Sequence, residues 1–135
     1  MKRHALIAVI ICFSILLSTI TVLAHHSFSA QYDRTKPIKF TGKVSKVEWM
    51  NPHVYFYVDV QEGGKTINYA CEVGAPNGLY RNGWRKDTVK QGDTVSVEGW
   101  KAKDGSDTVN AGTVSFNGKR IFSGNAEDGR PTPGQ

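Results

Sequence analysis

The sequence predicts an all-β protein: a small five-stranded Greek-key barrel of the OB type, carrying one short helical turn and preceded by a cleaved signal helix. Three observations predict it. Several short segments alternate apolar and polar residues with a period of two, the spacing of a strand with one buried face. Turn sequences rich in Gly, Asn and Asp separate them. The first such segment is long and its alternation slips once, which marks a bulged, bent strand. Closing five strands into a barrel also removes the exposed edges that one small sheet would leave. A small sandwich or an open meander is the alternative arrangement.

The elements follow in order. Met1-Lys2-Arg3 is a short basic start, and Ala5 to Leu17 is almost wholly apolar. Ser18 to Ala24 is mixed and ends on a small residue. A charged start, a short apolar run and a small cleavage residue describe a secretory signal over residues 1–24. The apolar run falls short of the roughly 20 residues that a membrane-spanning helix needs, so no stable anchor is expected after cleavage. Cleavage after Ala24 leaves 111 of the 135 residues, enough for one domain with a single modest core. Loss of Lys2 and Arg3 lowers the formal charge from +5 to +3. That mild bias is far from a basic tail built for nucleic acid. One cysteine remains, Cys71, so no internal disulfide can form and stability must come from packing.

Residues 25–37 read as an extended polar arm and residues 38–122 as the barrel domain. Ile38 to Trp49 places Phe40, Val44, Val47 and Trp49 in the slipped alternation. Asn51-Pro52 breaks the strand. Val54 to Val60 turns Val54, Phe56, Val58 and Val60 to one face and Tyr55, Tyr57 and Asp59 to the other. Gly63-Gly64 supplies the positive φ of a hairpin turn. Thr66 to Glu72 returns, with Ile67, Tyr69 and Cys71 on the core side. Gly and Asn limit the next segment to a helical turn over 77–81. Thr94 to Lys101 and Val109 to Phe116 are two further strands, and Asn117-Gly118 turns the chain into Arg120-Ile121-Phe122. Ser123 to Gln135 is Gly-, Pro- and polar-rich and reads as a disordered tail.

The chemistry-bearing residues are few. If cleavage leaves His25 first, its amine and ring can chelate one ion, and a third nitrogen would complete the planar set that suits Cu(II). His53, in the break between the first two strands, is the favoured third ligand, with His26 as its substitute. Neighbouring side chains of an extended chain point to opposite faces, which argues against His25 and His26 acting together. Met50 and Cys71 are soft donors in weaker positions. A plain mobile terminus and a loop-bracing His53 account for the same residues, because their spacing matches no established metal motif. Tyr55 and Tyr57 sit on the sheet face where OB barrels bind ligands. Stacking of nucleic acid there is disfavoured by Asp59 and Glu72 and by export. Trp84 and Arg85 lie in a basic stretch with Arg81, Lys86 and Lys90, suited to an anionic ligand or an acidic partner, or simply a solvated loop. The sequence shows no nucleophile–base–acid set and no phosphate loop, which favours binding over catalysis.

The stretches AHHSFSAQYD, TGKVSKVEWMNPHVYFYVDV, PNGLYRNGWRKDTVKQGDTVSVEGWKAKDGS and NAGTVSF resemble a family of small exported bacterial proteins known only as a domain of unknown function. The resemblance covers about residues 24–116. It implies a periplasmic or secreted protein of a Gram-negative bacterium and no established activity. Its hallmark positions here are His25, His26, Trp49, Asn51, Pro52, His53, Gly83, Trp84, Gly92 and Asp93. An aliphatic residue is usual where this chain has Cys71, which weakens a ligand role for the thiol. The expected function is therefore that of an exported binding protein, with copper held through His25 and His53. The alternative is a non-metal OB module for a cell-envelope partner or a small ligand.

Overall fold

The computed structural model describes residues 28–124. The expected signal segment, the two histidines at 25 and 26, and positions 125–135 of the expected tail lie outside the described residues. The chain forms α1 (Phe28–Gln31), β1 (Tyr32–Glu48), β2 (Tyr55–Glu62), β3 (Lys65–Glu72), α2 (Pro76–Arg81), β4 (Thr94–Ala102), β5 (Thr108–Phe116) and β6 (Lys119–Ser123). Hydrogen-bonded neighbours run β3-β2-β1-β4-β5-β6, and a parallel pairing of β3 with β5 closes the first five strands into a ring. This is the expected small barrel. The sixth strand is a hairpin extension of β5, turned by Asn117 and Gly118 at φ 52° and 73°.

β1 serves both halves of the barrel. Its first part pairs with β4 through Lys43↔Thr94, and its last part pairs with β2 from Lys43↔Asp59 to Glu48↔Tyr55. The register shifts between Val44 and Lys46, where the alternation of the sequence slips. Gly42 serves close approach: a Cβ there would lie 2.4 Å from the Asp59 carbonyl oxygen and 2.7 Å from Val58 Cγ1. The strand starts at Tyr32, not Ile38, so residues 32–37 of the expected extended arm belong to β1. Tyr32 pairs with Ala102 and buries its ring, and Phe28–Gln31 makes one helical turn before it. Burial of these aromatic rings outweighs the polar composition of the segment.

Phe56, Val58 and Val60 from β2 meet Tyr69 and Cys71 from β3, Val95 and Val97 from β4, and Val109, Ala111 and Val114 from β5. Phe40 stacks on Tyr69 at 4.5 Å between ring centroids. Leu79, Trp84 and Val89 join this core from the segment between β3 and β4. Trp84 is 4 % exposed, donates Nε1–H to the Ile121 carbonyl at 2.7 Å and meets the Phe122 ring edge-on. Trp84, expected as a ligand-binding residue of this loop, has its indole packed in the core under β6 and also lines a small pocket with Arg120 and Phe122. Among the described residues no helix is long and apolar enough to cross a membrane.

Candidate functional site

Strand register builds a polar row at one end of the barrel. Tyr55 of β2 pairs with Glu72 of β3, Glu72 with Asn110 of β5, and Asn110 with Trp100 of β4. Directly paired residues share a face, so these four side chains stand together. Glu72 and Asn110 are 2 % and 1 % exposed, the two buried polar residues among those described. The N-terminal segment covers the row. The Phe28 ring meets Tyr32 at 5.5 Å and stands edge-on to Trp100 at 5.5 Å. Lys103 fastens the segment, donating its backbone N–H to the Gln31 carbonyl at 2.8 Å and its ammonium to the Ser29 carbonyl at 2.5 Å.

Glu72 is the centre of this arrangement. Its Oε2 accepts from the Tyr32 hydroxyl, and its Oε1 pairs with Nδ1 of His53. The Tyr55 hydroxyl also bonds to it. Burial alone would raise the carboxyl, but the hydrogen bonds of His53 and Tyr32, the charge of His53 and the bond from Tyr55 hold it below the usual carboxylate range. The two phenols respond in the opposite sense. Burial, then the bond to Glu72 and its negative charge, push Tyr32 upward, and burial with the charge of Glu72 does the same to Tyr55. Both phenols therefore stay protonated and donate, and the carboxylate accepts.

His53 is brought to Glu72 by the backbone. Val54 N–H donates to the Gly74 carbonyl at 2.8 Å and Val73 N–H to the Val54 carbonyl at 3.1 Å. Those two bonds set the residue after His53 beside the residue after Glu72. The imidazole is 28 % exposed. Nδ1 directed at Glu72 leaves Nε2 as the ring atom for another partner, the arrangement by which carboxylates orient metal-ligating histidines.

The other expected site residues are dispersed. Tyr55 and Tyr57 share a face, but Tyr55 turns to Glu72 while Tyr57 donates to Glu48 at 2.7 Å on the bulged end of β1. Asp59 accepts from Asn68 at 2.7 Å. Glu72, expected beside Asp59 as an exposed acid, is buried because closure of β3 on β5 and the Tyr32 ring cover it. Arg85 is exposed next to buried Trp84, donating Nη1–H to the Trp84 and Tyr80 carbonyls and lying 5.6 Å from the Tyr80 ring centroid. Met50 is 49 % exposed on the loop before His53. Cys71 is 0 % exposed on the core side, and burial pushes its thiol up, which makes it an inert packing group. Among the described residues, no three of His, Cys, Asp and Glu form a group able to hold a metal. Sequence reasoning missed Tyr32, Asn110 and the role of Glu72. The Tyr55–Glu72 cross-strand pair was legible, but the parallel β3–β5 contact that buries it has no local signal.

No curated protein matches the chain. A crystal structure of the ZRD-deleted mutant of TiaS in complex with agmatine is similar at 22% identity and a TM-score of 0.47, over 73% of this chain. The match spans 25% of that protein's length. Residues 14–111 match the Family of unknown function (DUF6152), and the chain belongs to that family.

Proposed function

We propose that this is an exported binding protein of the periplasm or medium that holds copper through the amine and ring of His25 and Nε2 of His53, with His26 as the substitute ligand. One observation carries the reading: the buried carboxylate of Glu72 holds both His53 and Tyr32, the residue that anchors the N-terminal segment. Phe28 packs against Tyr32, and the three residues from Phe28 back to His25 give the terminal amine a reach of about 10 Å from that anchor. Nitrogen donors in a planar set favour Cu(II) over harder ions. The test is intact mass, Cu(II) titration and EPR on protein exported through its own signal. The expected result is a chain starting at His25 that binds one equivalent with nitrogen-rich tetragonal coupling, lost in His53→Ala. A chain starting at His25 without specific copper sinks the proposal.

The second reading is a non-metal module for a cell-envelope partner. The two exposed large hydrophobic residues among those described, Met50 and Tyr80, favour it. Tyr80 packs on Trp49 at 5.2 Å and carries Arg85 beside its ring. Arginine and aromatic residues anchor protein interfaces. Retention of an envelope partner that is unchanged by Arg85→Ala and Tyr57→Ala would count against it.

A further inference from the structure

A groove lies on the outer face of β1, β4, β5 and β6, and it shares Trp100 with the row that holds Glu72. Its volume is about 700 Å³, within the size range of small-molecule pockets. Trp100 and Ile38 give it an apolar wall. Its floor is kept open by Gly112, where a Cβ would lie 2.9 Å from the Trp100 ring. Its polar side is the row Lys39–Glu98–Thr113, aligned by strand register. Lys39 and Glu98 neutralise each other at 2.6 Å.

Arg34 stands at the mouth of this groove. Its guanidinium lies 4.1 Å from the Phe28 ring centroid and 5.5 Å from that of Trp100. None of the ion pairs among the described residues includes it. A guanidinium held against aromatic rings by cation–π attraction retains N–H donors whose fork matches a carboxylate. The groove therefore offers a fixed cation without a carboxylate partner among the described residues, beside an indole wall, with its remaining charges self-paired.

We infer that this groove binds a small amphipathic monocarboxylate: the acid group on Arg34, the apolar body along Trp100 and Ile38. The groove takes no ligand atom from Glu72 or His53, although it shares Trp100 with the polar row and Arg34 rests on Phe28 of the N-terminal segment. The test is a titration of the ¹⁵N-labelled protein with octanoate, followed by NMR. Octanoate is expected to shift the Trp100 indole N–H and the Gly112 amide saturably. Arg34→Gln should weaken binding at least tenfold, and Arg34→Lys, which keeps the charge but loses the two-pronged donor fork, should weaken it severalfold. Octanol, without the acid, and inorganic phosphate, without the chain, should each bind at least tenfold more weakly. Equal affinity for octanoate and octanol, or for wild type and Arg34→Gln, overturns the assignment. So does a shift pattern centred elsewhere. Glu127 and Asp128 follow Gly124 at the groove edge. If deleting residues 125–135 moves the Trp100 and Gly112 signals while octanoate moves neither in either form, the groove belongs to the chain's own tail and the proposal falls.

Discussion

Glu72 performs two tasks with one carboxylate, and single substitutions separate them. Glu72→Gln keeps the size of the side chain but removes the charge opposite His53 Nδ1. If His53 is a copper ligand, this should lower Cu(II) affinity about 10–100-fold, the usual effect of losing an orienting partner. Competition with a copper chelator measures it, and unchanged affinity would remove Glu72 from the metal reading. Two other positions test packing at the same scale. Gly42→Ala puts a methyl group 2.4 Å from the Asp59 carbonyl oxygen, so β1 and β2 must separate. The expected cost is about 1–3 kcal/mol, read by denaturant unfolding. Cys71, fully buried with its thiol pushed up, should resist thiol reagents in the folded protein and react completely in denaturant. Native-state labelling would show that β3 opens locally.

At the scale of elements, the N-terminal segment behaves as a strap. Its anchors are Phe28 against Trp100, the Tyr32 hydroxyl on Glu72, and Lys103 on the Gln31 and Ser29 carbonyls. Tyr32→Phe keeps the ring but leaves Glu72 without one of its donors. Loss of one donor to a buried charged acceptor should cost about 1–3 kcal/mol. Amide exchange over residues 28–34 should accelerate at the same time, while exchange in β2 and β4 stays slow. Global acceleration at equal rates would show that the strap is not a separate unit. The sequence at 25–37 hid this element because it is polar on average, and average polarity does not report where two aromatic rings are buried.

At the scale of the molecule, closure of β3 on β5 joins the two ends of the sheet. Phe56 lies at the centre of the resulting core and is fully buried. Phe56→Ala should cost about 3–5 kcal/mol, a large part of the roughly 5–15 kcal/mol that holds a domain of this size together. Its unfolding should lose β1 through β5 in one transition, because every barrel strand contributes to that core. Separate transitions for the β2–β3 hairpin and the β4–β5 pair would contradict a single cooperative barrel.

Strand spacing, the bulge in β1, the Gly63-Gly64 hairpin and the helical turn near Pro76–Arg81 are all legible in the amino-acid order. Each depends on neighbours within a few residues, and alternation, glycine φ freedom and propensity act at that range. The pairing of Tyr55 with Glu72 follows from the same hairpin register. What only the tertiary structure decided depends on residues far apart in the chain. Glu72 becomes a buried carboxylate because β5, 36 residues onward at Thr108, closes beside it and Tyr32, 40 residues back, covers it. Trp84, still in the loop, is a core residue because Leu79, Val89 and Phe122 pack with it and the distant Ile121 carbonyl satisfies its indole N–H. Burial and the pairing of polar groups are set by what lies across space, and local sequence carries no record of that.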